Sequence, residues 1–195
     1  MYPAMINITD KLMTIVGGGR VAYRKTKAFL EFGGRVRIIS PLFSKKFEVL
    51  KESVQLLERE HTEEDLNESF IVVAATDDEK INKGIGEYCE ARRILCNVID
   101  DIHLSSFIVP AYIKQGDLVI SVSTGGKSPS LAGKIKKELS EKYNELYIEY
   151  LDILGRIRER VIASYDDEDK KKEILNHLVT LDIEQLKVYE QNLYK

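Results

Sequence analysis

The sequence predicts an α/β protein built on a doubly wound parallel sheet, and three observations support this class. Short apolar runs alternate with amphipathic helical stretches from residue 12 to residue 98, as in successive β-α-β units. The run at 70–75 is entirely apolar, which is typical of a central strand covered on both faces. A glycine-rich turn joins the first predicted strand to the first predicted helix.

The elements of this alternation begin and end at recognisable signals. Gly33-Gly34 ends the helix after the glycine turn, because glycine is favoured just beyond a helix C-terminus. Pro41 stops the second strand, and Thr62 before three acidic residues has the pattern of a helix N-cap. We expect strands at 12–16, 35–40, 54–57, 70–75 and 94–98, and helices after the glycines, weakly at 43–51, and at 78–92.

The rhythm changes after residue 98, where the pattern favours a hairpin over another β-α-β unit. Apolar runs at 107–113 and 118–123 flank the turn sequence Lys114-Gln115-Gly116-Asp117. Pro110 inside the first run suits an edge strand or a bulge. We therefore expect a small α+β region at this point of the chain.

The last third of the chain has a helical pattern. Ser128 followed by proline predicts a helix start, since proline is tolerated at the first helical position. Tyr and Leu side chains then recur at helical spacing between Tyr143 and Val161. We expect this apolar stripe to pack on the first domain or on a second subunit, because a thin helical tail cannot bury it alone. The acidic run 166–169 breaks the pattern, and Asp182 has the pattern of a cap for a final helix.

Composition places the chain among ordinary globular proteins. Hydrophobic residues make up 44% and charged residues 31% of the 195 residues, and the net charge of −3 indicates no nucleic-acid partner. The apolar runs are too short to span a bilayer, and the N-terminus lacks the pattern of a signal peptide. Cys89 and Cys96 form no disulfide framework, which favours a reducing, cytoplasmic compartment. Because no His/Cys cluster has metal-ligand spacing, we expect no structural metal.

The glycine turn is the strongest functional signal in the sequence. Gly17, Gly19 and Ala22 occupy the three small positions of G-x-G-x-x-G/A, directly after the first strand. Gly17 would permit a tight turn, Gly19 would admit a pyrophosphate, and the helix N-terminus would offer it unpaired N–H donors. A tight turn without a ligand is the alternative. We expect a Rossmann-like domain that binds a dinucleotide through Gly17, Gly18, Gly19, Arg20, Val21 and Ala22.

Two further strand ends are expected at the same edge, because ligands of open α/β sheets lie outside the carboxyl ends of the strands. Ser40, followed by Pro41, stands where an acidic residue usually holds the adenine ribose, so the choice between NAD and NADP stays open. A simple strand-end cap is the alternative for Ser40. Thr76 follows the apolar strand and is placed to meet the cofactor, whereas Asp77 or Asp78 suits an N-cap of the next helix.

Two neighbouring carboxylates, Asp100 and Asp101, follow the next strand at this edge. One of them could accept a proton while a hydride leaves for a nicotinamide, and Asp100 is favoured because it is nearer the strand end. A loop-capping pair is the alternative.

The polar loop 123–129 is a second candidate site, whose glycines, hydroxyls and Lys127 could bind an anion at a helix N-terminus. Its spacing does not fit the Walker loop, so we expect no kinase or NTPase chemistry.

Together these segments resemble the precorrin-2 dehydrogenase/sirohydrochlorin ferrochelatase family, the dehydrogenase part of siroheme synthases. The matching motifs run in the family's order over roughly residues 5 to 140. They are Val16-Gly17-Gly18-Gly19 with Val21-Ala22 and Arg24-Lys25, Ala74-Ala75-Thr76-Asp77-Asp78 with Asn82, Asn97-Val98-Ile99-Asp100, Phe107 with Pro110-Ala111, and Ser123-Thr124-Gly125-Gly126-Lys127-Ser128-Pro129 with Leu131-Ala132. The joint match is specific, whereas each motif alone is not.

The resemblance implies the NAD-dependent oxidation of precorrin-2 to sirohydrochlorin in siroheme biosynthesis, with insertion of ferrous iron as a further activity. Asp100 stands where this family keeps its proposed catalytic aspartate. Thr124 occupies a position where some members carry a phosphorylatable serine, and we expect Thr124 and Lys127 at the substrate. The resemblance also implies a homodimer. We therefore divide the chain into an NAD-binding domain at 1–112, a dimerisation region at 113–145 and a C-terminal helical region at 146–195.

Two other functions stay open at the level of the sequence. A non-catalytic nucleotide sensor would bind NAD without turnover of a tetrapyrrole, although this class favours an acidic residue near Ser40. A dehydrogenase that works beside a separate chelatase would need no iron. Arg20, Lys114 or Lys127 could pair with substrate carboxylates, but a solvated surface charge is the simpler interpretation of each.

Overall fold

A computed structural model of the protein describes residues 1–99 and 101–193. The chain divides into two compact units, Met1–Val109 and Pro110–Lys195. In the first unit a parallel sheet has the strand order β3-β2-β1-β4-β5, which confirms the predicted doubly wound architecture. Its strands are β1 (Leu12–Val16), β2 (Arg35–Ile39), β3 (Gln55–Leu57), β4 (Ile71–Ala74) and β5 (Leu95–Val98).

Helices cover both faces of this sheet. Successive side chains of a strand point to opposite faces, so Val73 packs in the core beneath α1 (Arg20–Glu31) and Val72 packs beneath α2 (Glu79–Arg92). Burial on both sides explains why the run at 70–75 contains only apolar residues. Short 3₁₀ helices at Lys45–Leu50 and Glu63–Leu66 complete the connections.

Two free thiols lie in the core between α2 and the sheet. Cys89 and Cys96 are 0% and 2% exposed. The hydrogen bond to Cys89, together with burial, raises the pKa of the Cys96 thiol above its usual range. Buried thiols of this kind behave as small apolar side chains.

The second unit begins with the predicted hairpin. Strands β6 (Ala111–Gln115) and β7 (Leu118–Val122) pair antiparallel. The turn is shorter than the sequence indicates, because Gln115 already pairs with Leu118 and Gly116 makes the turn with a φ of +59°. Helix α3 (Pro129–Lys142) then begins where predicted, since the Ser128 hydroxyl accepts a hydrogen bond from the Leu131 N–H at 3.2 Å.

Three further helices bury part of the predicted apolar stripe among themselves. They are α4 (Leu146–Ser164), α5 (Glu168–Leu178) and α6 (Ile183–Asn192). Ile153, Ile157 and Val161 of α4 are at most 1% exposed and pack against Leu178 and Leu186. For Ile157 and Val161, the expectation of packing on the first domain or on a second subunit was therefore wrong. For stripe residues outside this core, such as the exposed Leu146, it stays a prediction.

The physical reason lies in the acidic run that separates α4 from α5. The run interrupts the helical pattern as predicted, and Asp167 within it also caps α5 by accepting hydrogen bonds from the N–H groups of Asp169 and Lys170. Acidic side chains in the first turn are also favoured by the helix dipole. The extra helix supplies the apolar partner that the stripe needs.

Replacement of Ile157 tests this internal core. Ile157→Ala should lower the free energy of unfolding of the C-terminal helices by about 2–5 kcal/mol, because a fully buried side chain leaves a cavity. The measurement is urea unfolding followed by circular dichroism at the helix band. Ile162→Ala on the same helix is the matched control, since Ile162 is 43% exposed. Equal effects of the two substitutions would contradict the described core.

Candidate functional site

Gly17 and Gly18 are required by the close packing of three loops. Gly17 has a φ of +124°, and a Cβ at this position would lie 2.1 Å from the carbonyl oxygen of Ala75. A Cβ on Gly18 would lie 2.0 Å from the carbonyl oxygen of Leu42. Neither position has room for a side chain, so these two glycines are needed for the loop to fold.

Gly19 differs from its neighbours because it faces open space. A Cβ there would meet no atom of the described residues within 4 Å. Gly19 is also the N-cap of α1, where no described side chain caps the helix and the first turn carries no acid. The N–H groups of that turn are therefore available to an anion, and the space in front of them admits a pyrophosphate. This arrangement fits a dinucleotide.

The residues after Gly19 occupy different environments. The Ala22 side chain is fully buried against the sheet, which lets α1 approach β1 closely. Val21 is half-buried and Arg20 is exposed. Cofactor binding by the side chains of Arg20 and Val21 stays a prediction.

Ser40 uses its hydroxyl within its own turn. The Oγ donates to the carbonyl oxygen of Leu42 at 2.7 Å, and the residue is only 8% exposed. The N–H of Ser44 donates to the carbonyl of Gly18 at 2.9 Å, so the turn folds back onto the glycine loop. This geometry agrees with the strand-end cap that the sequence left open. Ribose binding by Ser40 and by the exposed Pro41 stays a prediction.

Thr76 lies at the end of β4, next to the glycine turn. Its hydroxyl is 2.7 Å from Asn82 Oδ1 and 3.1 Å from the Asp78 carbonyl, so its one proton is used within the loop. The predicted cap of α2 is present at Asp78, whose Oδ1 accepts from the Lys80 N–H at 2.8 Å. A direct contact between Thr76 and the cofactor stays a prediction.

The predicted catalytic residue, Asp100, lies outside the described residues. Its neighbour Asp101 accepts hydrogen bonds through Oδ1 from the N–H groups of His103 at 2.8 Å and Leu104 at 3.1 Å. Loop capping therefore accounts for Asp101, as the alternative interpretation of this pair expected. The role of Asp100 stays a prediction.

The loop before α3 holds the two predicted substrate residues. Thr124 Oγ1 accepts from the Ser128 N–H at 3.0 Å, and the Lys127 N–H donates to the Thr124 carbonyl at 3.1 Å. The turn also needs positive φ at Gly125 (+62°) and Gly126 (+82°). The Lys127 side chain is exposed. Substrate binding by Thr124 and Lys127 stays a prediction.

Lys25 is a half-buried lysine to which the sequence motifs assign no function. Burial and, to a smaller extent, Arg24 lower the pKa of Lys25 to about 8. Tyr23 packs against Phe47 with ring centroids 5.6 Å apart, which places that flank of α1 toward the β2–β3 connection. Lys25 is about 200° around the helix from Tyr23, so it lies on the opposite flank of α1. Its position three residues after the buried Ala22 was the available signal.

The side chain of Asn97 lies on the face of the sheet that α1 covers, and one of its atoms lacks a partner among the described residues. The residue pairs with Val73, which belongs to the core beneath α1. Its Nδ2 donates to the Phe107 carbonyl at 3.3 Å, but its buried Oδ1 has no hydrogen-bond partner among the described residues. A polar residue in the otherwise apolar run 94–98 was the signal in the sequence.

The parallel sheet, the tight glycine loop and the uncapped start of α1 define a dinucleotide-binding α/β domain. Residues 4–111 match the family described as "Putative NAD(P)-binding", which covers more than half of the sequence. The chain belongs to this NAD(P)-binding family. Residues 115–142 match a second family, described as "Sirohaem biosynthesis protein central".

Individual proteins are similar over longer stretches. A siroheme synthase of Salmonella arizonae is 35% identical over 161 residues, which cover 82% of this chain and 35% of that protein. A siroheme synthase of Pseudomonas aeruginosa is 32% identical over 195 residues, which cover 99% of this chain and 39% of that protein. The chain thus spans little more than a third of the length of these relatives.

A solved structure matches the chain from end to end. SirC, a precorrin-2 dehydrogenase, has a TM-score of 0.80 and 27% sequence identity, over 100% of this chain and 99% of that one. These similarities confirm the family resemblance identified from the motifs.

Alanine substitutions should separate the roles of the glycines. In Gly19→Ala the free energy of unfolding should stay the same or rise by about 0.5 kcal/mol, because φ of −85° suits alanine. Its Kd for NAD should rise at least about tenfold, since the methyl group enters the space for the pyrophosphate. Gly17→Ala should instead lose about 1–3 kcal/mol of stability through strain. Unfolding curves and calorimetric titration measure both quantities, and unchanged NAD affinity in Gly19→Ala would contradict the proposed cradle.

Lys25 should make stability depend on pH. Because its pKa is about 8 in the folded state and higher in the unfolded state, the unfolded chain binds more protons between pH 8 and the usual lysine pKa. The free energy of unfolding should therefore rise with pH across this window. Lys25→Met should be more stable than the parent at pH 7, on the order of 1–3 kcal/mol, and this advantage should shrink by pH 10.

Urea unfolding at pH 7 and pH 10 measures this difference. Lys27→Met is the matched control on the same helix, because Lys27 is exposed. A Lys25→Met protein whose advantage over the parent is equal at both pH values would contradict the lowered pKa.

Proposed function

We propose that this protein is a precorrin-2 dehydrogenase that oxidises precorrin-2 to sirohydrochlorin with NAD as the hydride acceptor, in siroheme biosynthesis. The observation that carries the proposal is the end-to-end match to SirC, at a TM-score of 0.80 over 100% of this chain. The match includes the second unit, which a nucleotide-binding module alone would not need. The siroheme synthases that resemble this chain support the same pathway.

The cofactor would bind at the edge where Gly19 leaves room beside the uncapped start of α1. When bound, NAD supplies the hydride acceptor. We propose that Gly17 and Gly18 hold the loop while the N–H groups of the first turn of α1 orient the pyrophosphate.

The ribose end of this site lacks the carboxylate that normally excludes a 2′-phosphate. Ser40 stands at the end of β2, where an acidic residue usually holds the adenine ribose. NAD is our proposed cofactor, and competition with NADP measures how strongly the site prefers it.

Oxidation of a tetrapyrrole by hydride transfer also needs a base for the proton that is lost with the hydride. We propose Asp100 for this step, because it follows β5 at the carboxyl edge of the sheet. The engagement of Asp101 in its own loop supports this choice between the two carboxylates. On the substrate side, we propose that Lys127 pairs with a carboxylate of the macrocycle and that Thr124 lies beside it.

We further propose insertion of ferrous iron into sirohydrochlorin as a second step. Iron would enter as a substrate, and the same carboxylate would accept the pyrrole protons. The similarity to proteins named siroheme synthase supports this step. Across residues 1–99 and 101–193, no group of three or more His, Cys, Asp or Glu side chains is placed to hold a metal ion.

A homodimer is part of the proposal, with residues 113–145 as the dimerisation region. The sheet of β6 and β7 has only two strands, and such a sheet is marginal on its own. Leu131 in this region is 48% exposed, and Leu146 just after it is 63% exposed.

We propose the cytoplasm as the compartment, because both cysteines are free thiols. None of the helices within the described residues is long and apolar enough to cross a membrane.

A coupled absorbance assay tests the dehydrogenase. Enzymatically made precorrin-2 and NAD are supplied first without metal, and then with ferrous or cobaltous ion. We expect NADH and sirohydrochlorin to form together, followed by a metal-dependent spectral change above the rate without enzyme. NAD binding without turnover would contradict the proposal and favour a nucleotide sensor. Turnover without the metal-dependent step would restrict the function to the dehydrogenase.

Substitution of the two carboxylates tests the assignment of the base. Asp100→Asn should lower kcat about 100-fold or more, because general base catalysis typically contributes at least this much. Asp101→Asn is the matched control, since the amide oxygen can still accept the two loop hydrogen bonds while the charge is removed. The opposite result, with activity lost only in Asp101→Asn, would transfer the role to Asp101.

A further inference from the structure

Asn82 on α2 forms hydrogen bonds with both the N–H and the carbonyl of Thr76, at the carboxyl edge of the sheet. Its Oδ1 accepts from the Thr76 N–H at 3.0 Å and from the Thr76 hydroxyl at 2.7 Å. Its Nδ2 donates to the Thr76 carbonyl at 2.9 Å. The residue is 6% exposed, so these bonds are shielded from water. One buried side chain therefore fixes the donor, the acceptor and the hydroxyl of Thr76.

The segment that Asn82 fixes forms one wall of the glycine turn. The carbonyl oxygen of Ala75 would lie 2.1 Å from a Cβ on Gly17, and the nitrogen of Thr76 would lie 3.1 Å from it. The Ala75 N–H is bonded to the Val16 carbonyl at 2.8 Å, which anchors the start of this segment to β1. Asn82 anchors its other end. The Ala75–Thr76 segment is therefore held at both of its ends.

This wall lies where the strand order reverses. In the order β3-β2-β1-β4-β5, the connections after β1 and β4 leave the sheet in opposite directions. A dinucleotide binds across this point, with the adenosine half toward β2 and the nicotinamide half toward β4. Thr76 lies two residues after the end of β4, so we expect its position to affect how the nicotinamide half is bound.

We infer that Asn82 is a positioning residue for the nicotinamide half of the cofactor, acting through the Ala75–Thr76 backbone. The inference deepens the proposed function and rests on it only through cofactor binding, because the tetrapyrrole plays no part in the argument. ADP, which lacks the nicotinamide half, should not depend on Asn82. The difference between NAD and ADP therefore separates positioning from a general loss of structure.

The test is the affinity of Asn82→Ala for NAD and for ADP, measured by calorimetry with the full chain well below its unfolding temperature. The Kd for NAD should rise about tenfold, as expected from the loss of buried hydrogen bonds at the binding wall. The Kd for ADP should change less than about twofold. Asn82→Asp keeps the acceptor oxygen and loses the Nδ2 donor, so its Kd for NAD should be intermediate; if Asn82→Ala does not fold, this variant decides the question by the same comparison.

The matched control is Asn67→Ala. Asn67 also accepts a hydrogen bond from a residue of α2, the Tyr88 hydroxyl, but it lies before β4 at the opposite end of that strand. This variant should bind NAD and ADP like the parent. Equal weakening of NAD and ADP in the Asn82 variants, or unchanged NAD affinity, would overturn the inference. Because no substrate is present, a failed dehydrogenase assay would leave this result intact, and the reverse also holds.

Discussion

The approach of the first turn to the end of β4 is the constraint on which the first unit depends. Gly17 lies so close to the Ala75 carbonyl that no side chain fits between them. This contact brings the loops after β1 and β4 together at the point where the connections diverge. The start of α1 is thereby left open beside Gly19. The proposed cofactor site therefore results from close backbone packing at Gly17 and is formed by the backbone N–H groups at the start of α1.

Most of the first unit could be predicted because its strands are buried on both faces. Apolar runs bounded by Gly33 and Pro41 located the strands to within about one residue of their ends. The region after Leu146 was harder, since an acidic run such as 166–169 is compatible with a helix break and with a cap followed by an acidic first turn. Only the packing of α4 against α5 decides between them, and that contact is not local.

In the candidate site, too, the roles of single residues depend on non-local contacts that the local sequence does not reveal. The motif distinguishes Gly17 at the tight turn from Gly19 at the ligand, but it sets no requirement at Gly18, whose contact with the Leu42 carbonyl excludes a side chain. Asn82 lies six residues from Thr76, and no local pattern relates an amide to a backbone unit across a loop. Motif spacing therefore located the edge of the sheet, whereas the contacts of each atom decide its role.

The burial of both thiols has a consequence for spectroscopy. Thiol-reactive dyes attack an accessible thiolate, and Cys89 and Cys96, the two cysteines of the sequence, are enclosed beneath α2. The raised pKa of Cys96 further lowers its reactivity. A maleimide label on one introduced surface cysteine should therefore report from that position alone. Pairs of such labels would measure distances between the two compact units in solution without removal of either native cysteine.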